Sequence, residues 1–452
     1  MEESERRAEA GLGKDAHLLV PMSRTGPRFW LLVGGLLAIV CWGLFAWSTQ
    51  LRRGLFVTGL NVPVYWGLYI TNFVFFIGIS HAGTLISAIL RLAHAEWRRP
   101  ITRAAEVITV LVLFFGLGCV ILDLGRPDRA LNVILHGNFT SPLLWDVASI
   151  STYLTASTVY LYLPLIPDIA ILRDNFQGRH WFYRALALGW TGTPRQHRLL
   201  ERAIAVMAVI VIPIAISVHT VVSWVFAMTV QPMWHSTIFG PYFVVGAIFS
   251  GIAAIIVAMA AIRRAYHLEA YLKPIHFNNL GLLLLVFTLL WFYFTFAEFL
   301  TTYYGAEPTH MTVFLSKTEG KFSPYFWVMV VTCFLVPFTL LANNRTRRTV
   351  WGCVAASLSV EVGMWLERFL IVVPSLSNPR LPLTASSYTP TWVEWSLFAA
   401  FISCFILLYA VFTKLFPIVS IWEIREGREH AVSEVTTRIE SYLPDALEAT
   451  HG

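Results

Sequence analysis

Long, continuous apolar runs separated by short polar segments occupy the chain from about residue 29 to residue 416. Each run has about 18 residues or more, enough for an α-helix rising 1.5 Å per residue to cross a hydrocarbon core of about 30 Å. The runs do not alternate between apolar and polar positions, so they favour helices over the strands of a membrane barrel. We therefore predict an all-α integral membrane protein with about ten transmembrane helices, at residues 29–47, 63–92, 104–124, 142–167, 203–230, 240–262, 278–304, 324–342, 350–373 and 391–416.

Two groups of four helices are expected in the centre, because ionisable residues fall inside the second to fifth and the sixth to ninth spans. We predict two four-helix bundles, at roughly 63–230 and 240–373, flanked by a first and a last helix. The membrane domain then covers 29–418, with soluble tails at 1–28 and 419–452. The first tail mixes acidic, basic and polar residues without a short apolar core, so we expect a soluble tail and not a signal peptide.

Composition agrees with membrane insertion: 56% of the 452 residues are hydrophobic and 13% are charged, with a mean hydropathy of +0.63. An ordinary soluble domain carries about 25% charged residues. Of the 33 lysines and arginines, 25 lie on the N-terminal side of the predicted spans, 7 lie on the opposite side and one falls inside a span. The positive-inside rule therefore predicts that both termini are cytoplasmic. The net charge of +6 then requires no nucleic acid partner.

Redox cofactors bound by this chain are not indicated. The five cysteines stand singly within predicted spans, with no CxxC and no CxxCH motif, which argues against an iron–sulfur cluster and an attached c-type haem. A transmembrane dihaem cytochrome would need suitably spaced histidine pairs on two helices. His81 and His94 have such a spacing, but the corresponding position before His219 is Val206. We predict no haem, iron–sulfur or metal site.

Ionisable side chains inside the predicted spans mark the candidate functional residues. Each costs at least about 2.5–3.5 kcal/mol to insert, so such residues face the protein interior and usually mark a pathway. In the first bundle, Asp123 and Asp146 lie at the outer face with Arg126 in the loop between them, and His81 lies deeper, past the midplane. This stack of titratable groups could bind a quinol and pass on its protons. The intramembrane candidates are His81, Asp123, Asp146, His219, Glu298, Glu361, Glu367 and Arg368.

Structural roles are open for the same residues of the first bundle. Asp123 and Arg126 also fit a salt bridge at a helix end, beside a turn shaped by Gly125. His81, in a sequence rich in alanine and glycine, also fits a hydrogen-bonded packing residue.

The charged residues of the second bundle fit either a proton route or a structural ion pair. Glu367 and Arg368 are adjacent and are expected to point in different directions, whereas Glu361 and Arg368, seven residues apart, share a helix face. Arg368 could therefore pair with Glu361 or with Glu298.

A secondary transporter, or a channel-like protein that moves ions, is the alternative function. It predicts Gly- or Pro-interrupted spans at matching places of two repeats. Pro213 and Pro337 lie inside spans but not at equivalent positions. This lack of matching interruptions argues against a transporter and favours the interpretation that the chain binds a quinol.

Seven segments carry a family resemblance: WGLYITNFVFFIGISHAGTLISAILRL (66–92), DLGRPDR (123–129), SPLLWDVASISTYL (141–154), SVHTVVSWVFA (217–227), PMWHSTIFGPYFVVGAIFSG (232–251), GMWLERFLIVVPSL (363–376) and YTPTWVEW (388–395). Together they resemble the NrfD/PsrC family of quinone-interacting membrane subunits, and most closely the ten-helix ActC-type subunit of bacterial alternative complex III. The resemblance covers nearly the whole chain, and its specificity comes from the combination of segments.

The resemblance implies a cofactor-free subunit of the bacterial inner membrane that binds menaquinol near the periplasmic face and is inactive alone. Electrons would pass to an iron–sulfur protein, to multihaem and monohaem cytochrome c subunits, and to a soluble acceptor in respiration or photosynthesis. A second NrfD-like membrane subunit, other small membrane subunits and lipids would complete the complex.

By motif position, the quinol site would comprise His81 of SHAG, Asp123 and Arg126 of DLGRP, and Asp146 of LLWDV. The catalytic residues would be His81, Asp123 and Asp146. Arg126 would hold Asp123 ionised by its opposite charge. ActC-type relatives often have His at the position of Asp123, whereas shorter relatives have Asp, so the protonation chemistry there is open. Candidates for a proton path are His219, Glu298, Glu361, Glu367 and Arg368.

Overall fold

Ten long helices form the body of the molecule. The computed structural model describes residues 13–23, 25–176, 180–381, 383–429 and 433. We number the long helices α1 to α10; they are Pro27–Arg53, Leu68–Leu92, Thr102–Asp123, Pro142–Asn175, Pro194–Ala227, Phe239–Ala265, Pro274–Gly305, Ser323–Ala342, Val350–Ser377 and Trp392–Leu415.

The predicted all-α membrane fold is confirmed. In the described part of the chain, nine helices are long and apolar enough to cross a membrane. The remaining long helix, α9, has 28 residues and carries the charged residues Glu361, Glu367 and Arg368 in its central part. Helix α8 contains a π-helical turn at Val331–Leu335, just before Pro337.

Local sequence explains where several helices begin and end. Proline is the first residue of α1, α4, α5 and α7, where a missing N–H group costs little. Helix α2 begins at Leu68, five residues later than predicted. Helix α4 continues past the predicted residue 167 to Asn175, because Asp168 carries it into a polar layer where its carboxylate pairs with Arg103. Hydropathy therefore located the apolar part of each helix more closely than its ends.

The central helices form two four-helix groups, as predicted. Helices α2, α3, α4 and α5 pack in a closed ring, and α6, α7, α8 and α9 form a second ring. The groups meet mainly where α2 packs against α6, with α9 also contacting α2. Helices α1 and α10 pack against each other outside the rings, and α10 rests on α3.

Two glycines allow the closest helix contacts. A Cβ atom at Gly83 of α2 would lie 1.9 Å from the carbonyl oxygen of Ala105 in α3. A Cβ atom at Gly43 of α1 would lie 2.2 Å from the Cβ of Ala400 in α10. Only a residue without a side chain lets these backbones approach so closely, as is common between membrane helices.

The helix ends define two faces. We call the face where α1 begins and α10 ends the proximal side, and the opposite face the distal side. After α10 the chain docks on the proximal end of the first bundle, where Glu423 is buried and pairs with Arg91 and Arg98. Burial alone would raise the pKa of Glu423, but the guanidinium groups of Arg91, Arg98 and Arg103 hold it below its usual value. The rest of the predicted tails, 1–12 and 434–452, lies outside the described residues.

Candidate functional site

Asp123 ends α3 on the distal side and has an unused carboxylate oxygen. Its Oδ1 is buried without a hydrogen-bond partner among the described residues. Tyr69 and Glu394 lie within electrostatic range of the carboxylate. Gln50 fixes the neighbouring backbone, since its amide donates to the carbonyl of Leu122 at 2.8 Å and accepts from the Tyr69 hydroxyl at 2.5 Å. Asp123 is therefore held in a polar environment with one acceptor atom free.

Glu394, in contrast, has partners on both oxygens. Its Oε2 accepts from the backbone N–H groups of Gly59 at 2.8 Å and Thr391 at 2.9 Å. Its Oε1 accepts from the hydroxyl of Tyr388, whose oxygen accepts from the backbone N–H of Leu68 at 2.8 Å. Glu394 thus ties two distal loops to the start of α10, which is a structural role.

Arg126 is separated from Asp123 by the turn that follows α3. Gly125 takes a φ of +63°, and the exposed Arg126 side chain forms a bidentate contact with Asp128, at 3.0 and 2.9 Å. Arg126 and Asp128 are two residues apart, so their exposed side chains can pair at the surface. The structure therefore does not show the predicted ion pair between Arg126 and Asp123.

Asp146 lies near the start of α4, also on the distal side. Its side chain is 8% exposed, and its Oδ1 has no hydrogen-bond partner in the described chain. Asp123 and Asp146 lie at the distal ends of two helices that pack together, α3 and α4. No hydrogen bond joins the two carboxylates across the described residues, so each has an oxygen available for another molecule.

A buried histidine pair lies deeper in the first bundle. The rings of His81 in α2 and His219 in α5 have centroids 3.7 Å apart. His81 Nε2 lies 2.6 Å from the carbonyl oxygen of Ala215, so this nitrogen carries the proton and Nδ1 is left as an acceptor. Neither His81 Nδ1 nor His219 Nδ1 has a hydrogen-bond partner within the described residues. Because α2 begins later than predicted, His81 lies near the middle of its helix and not past it.

Arg368 reaches from α9 into the contact between the two bundles. Its guanidinium occupies the space beside Gly246, where a Cβ atom would lie 2.7 Å from Nη2. It lies 5.2 Å from the centroid of the Phe243 ring and within electrostatic range of His219. Arg368 thus approaches the histidine pair from the second bundle.

Glu367 is the ion-pair partner of Arg368, contrary to the prediction that these adjacent residues point apart. The Nη1 and Oε2 atoms are 2.8 Å apart, although the angle does not make a hydrogen bond and both Nη atoms have no hydrogen-bond partner among the described residues. Glu367 Oε1 accepts from Trp291 Nε1 at 3.1 Å, and Tyr242 also bonds this carboxylate. Two long side chains overcome the helical offset between neighbouring positions. Glu361, on the other hand, lines a separate apolar cavity.

Glu298 lies on a distal cavity of the second bundle. This cavity has a volume of about 380 Å³ and is also lined by His235 and His310. Glu298 bonds Ser236 and lies near Lys317, while its Oε2 has no partner within the described chain. Lys317 is buried, and burial lowers its pKa to about 8 against the opposing effect of nearby carboxylates.

Sequence reasoning missed several residues near Asp123 and one residue, Lys317, near Glu298. Glu394 had a detectable signal, since Thr391 and Glu394 have the spacing of a capping box. Gln50 and Tyr69 gave none, because their pairing depends on helices far apart in sequence. Lys317 falls between the predicted spans and is therefore absent from the intramembrane candidates.

Unpartnered buried atoms occur in both bundles, and those of the first bundle include carboxylate oxygens and histidine nitrogens on four different helices. Such atoms are rare, and each costs about 1–3 kcal/mol if it truly lacks a partner. Four of those on α2, α3, α4 and α5 belong to the candidate residues, and they are carboxylate oxygens or histidine nitrogens. This arrangement suits a ligand with hydroxyl donors, or water molecules that carry protons, between the distal side and the helix centre.

Comparisons with known proteins agree with this architecture. A family model described as polysulphide reductase, NrfD, matches residues 56–379. The matched part covers both four-helix groups, so all the intramembrane candidate residues lie inside it.

Individual relatives are similar along most of their length. The chain is 27% identical over 418 residues to a protein of Halobacterium salinarum that is provisionally named as a membrane subunit of dimethyl sulfoxide reductase; this covers 86% of the chain and 91% of the relative. It is 23% identical over 424 residues to the Hdr-like menaquinol oxidoreductase integral membrane subunit of Archaeoglobus fulgidus, with 90% and 96% covered. It is 23% identical over 403 residues to the menaquinone reductase integral membrane subunit of Nitratidesulfovibrio vulgaris, with 83% and 88% covered.

Proposed function

The chain belongs to the polysulphide reductase NrfD family and is a multi-pass integral membrane protein, and from this premise we propose that it is the menaquinol-oxidising membrane subunit of an electron-transfer complex. The observation that carries the proposal is the set of unpartnered buried acceptors in the first bundle. The names of the relatives from Archaeoglobus and Nitratidesulfovibrio, both linked to menaquinone, support it.

The chemistry requires groups that bind two hydroxyls and accept two protons. Oxidation of menaquinol breaks both O–H bonds; two electrons leave to a redox partner and two protons leave to bases or water. Asp123 and Asp146 each offer a free oxygen on the distal side, and we assign Asp123 as the first acceptor because the hydrogen-bonded pair Gln50 and Tyr69 lies beside it. His81 offers the next acceptor, deeper in the bundle.

The partners and the orientation follow from this chemistry. With both termini in the cytoplasm, the distal side faces the periplasm of a bacterial cell, and an iron–sulfur protein docked there would take the electrons. Multihaem and monohaem cytochromes c would continue the chain, with a second NrfD-like subunit and small membrane subunits in the complex. Such an assembly corresponds to alternative complex III, and this chain alone would catalyse nothing.

A contribution to proton translocation is part of the same proposal. The second bundle supplies Glu298 at a distal cavity and Glu367 further inside. Lys317 lies within electrostatic range of both carboxylates. Replacement of Glu298 by Gln should lower the number of protons moved per quinol without changing quinol oxidation; an unchanged proton number would remove Glu298 from the route.

Photolabelling tests the quinol site directly. The intact complex is illuminated with an azido-menaquinone analogue, and labelled peptides of this chain are mapped. We expect saturable labelling within 68–92, 102–123 and 142–175 that excess menaquinol suppresses. Labelling confined to the second bundle, or insensitive to menaquinol, would overturn the site.

Gentle detergent extraction distinguishes a member of a redox complex from a transporter. We expect this chain to purify with iron–sulfur and haem-bearing subunits and to contribute no visible absorption itself. Recovery as a lone protein that moves solute into liposomes would instead favour transport. Pro213 inside the continuous helix α5 and the π-helical turn of α8 lie in the fourth helix of one bundle and the third helix of the other. They do not give the matching interruptions that a transporter predicts.

A further inference from the structure

An open cleft separates α6 from α10. The two helices make no extensive contact with each other over the described residues, and α2 and α3 form the floor between them. The inner part of the cleft is an apolar cavity of about 550 Å³ lined mainly by Phe, Ile, Val and Ala side chains. Glu361 is the one carboxylate that lines it among the described residues.

The depth of this cavity matches one leaflet of a bilayer. It extends along α6 from Ala254 to Ala265 and along α10 from Ile402 to Thr413. Eleven residues at 1.5 Å per residue give about 16 Å, close to half of a hydrocarbon core of about 30 Å. The cavity therefore runs from the proximal surface to the middle of the membrane, where Glu361 lies.

A second cavity continues the cleft to the proximal surface. It has a volume of about 710 Å³ and shares Ala265, Tyr266 and Ala410 with the apolar cavity. Its lining adds the basic residues Arg28, Arg264, Lys414, His17 and His267, with Glu269 as the one carboxylate of the described lining.

The rim cations come from three helices that converge there. Arg28 lies in the first turn of α1, Arg264 in the last turn of α6 and Lys414 in the last turn of α10. Lys414 is positioned by a hydrogen bond from Nζ to the carbonyl oxygen of Pro21 at 2.5 Å and by the Phe29 ring 4.7 Å away. Arg28 and Arg264 are exposed, and neither forms an ion pair with another described residue. Their guanidinium groups are therefore available to an anion above the apolar cavity.

We propose that this cleft is a binding site for one anionic phospholipid of the proximal leaflet. The phosphate is bound by Arg28, Arg264 and Lys414, and an acyl chain fills the apolar cavity down to Glu361. A basic pocket above a gap between membrane helices is the type of site that anionic headgroups occupy. A bound acyl chain would also keep water away from Glu361, which makes this residue a lipid contact and not a member of a proton route.

Native mass spectrometry of the purified complex in a mixture of phosphatidylglycerol and phosphatidylethanolamine tests the site. We expect one tightly retained phosphatidylglycerol per chain. The double variant Arg264→Gln, Lys414→Gln should retain it roughly 30-fold less well, equivalent to about 1 kcal/mol for each cation. The control Arg345→Gln, Arg348→Gln removes two exposed arginines from another proximal loop and should retain the lipid normally.

A second pair of variants tests the acyl-chain cavity without changing charge. Ala261→Trp places a large ring in the lining of the cleft and should displace the lipid, whereas Ala38→Trp on the exposed surface of α1 should not. Equal retention of phosphatidylethanolamine, retention of a quinone instead, or normal retention in both the rim and the cavity variants would overturn the proposal.

Discussion

The contrast between Asp123 and Glu394 gives the sharpest test of the quinol site. Both carboxylates lie on the distal side within electrostatic range of each other. Asp123 makes no hydrogen bond in the described chain, whereas Glu394 accepts three. The variants Asp123→Asn and Glu394→Gln remove the same charge at neighbouring places, so each is the control for the other.

The expected magnitudes differ because the bonds differ. Asp123→Asn loses no bond and should leave assembly unchanged, while turnover falls by about 10²–10⁴, the usual contribution of a general base. In Glu394→Gln the amide oxygen can still accept from the N–H groups of Gly59 and Thr391, but the amide NH2 cannot accept from the Tyr388 hydroxyl. Two charge-assisted bonds become neutral and the third is lost, at a cost of about 1 kcal/mol each. We therefore expect about 3 kcal/mol less stability and near-normal turnover per assembled complex.

The assay combines two measurements on each purified complex. Thermal unfolding reports the stability of the membrane subunit, and oxidation of a water-soluble menaquinol analogue, divided by the amount of this chain in the sample, reports turnover per complex. An assembled Asp123→Asn complex with full activity would refute the role of Asp123 and would transfer it to His81. A Glu394→Gln complex of normal stability but low turnover would show that Glu394 acts in the reaction.

Two further predictions concern stability. Asp168→Asn leaves the buried Arg103 without its carboxylate and should lower the free energy of unfolding by about 3–5 kcal/mol. The control Asp174→Asn removes the exposed partner of Arg173 and should cost about 0–1 kcal/mol. Similar losses of stability in thermal unfolding would contradict a structural role for the pair of Arg103 and Asp168. Because burial lowers the pKa of Lys317 from 10.5 to about 8, the unfolded chain binds more protons between these values, so Lys317 should make stability rise as the pH increases from about 8 to 10.5. This rise should disappear in Lys317→Met, and an equal pH slope in both proteins would show that Lys317 is not responsible.

The fold was predictable because a helix that crosses a bilayer needs about 20 consecutive, mostly apolar residues. Apolar runs located the long helices, and the placement of ionisable residues indicated the two bundles. Helix ends were less predictable, since Asp168 extends α4 only because Arg103, far away in sequence, supplies its partner. The start of α2 at Leu68 likewise depends on Tyr388, whose hydroxyl oxygen accepts from the Leu68 N–H.

The candidate site was predictable residue by residue but not as a set of contacts. His81 and His219 were both selected because a membrane interior rarely holds histidine, yet their mutual contact required the packing of α2 on α5. Helix periodicity placed Glu361 and Arg368 on one face and separated Arg368 from Glu367. Periodicity therefore predicted that Arg368 and Glu367 do not pair. They do pair, because both side chains are long enough to bend towards each other.

The position of Arg368 has a consequence for how the two bundles communicate. A guanidinium stays protonated at any physiological pH, and a fixed positive charge is a known barrier to protons in membrane pores. Arg368 lies within electrostatic range of His219 and pairs with Glu367, so its fixed charge opposes direct transfer of a proton between the two bundles at this place. A change of charge in one bundle would instead act on the other bundle through the electric field, or through movement of the Arg368 side chain.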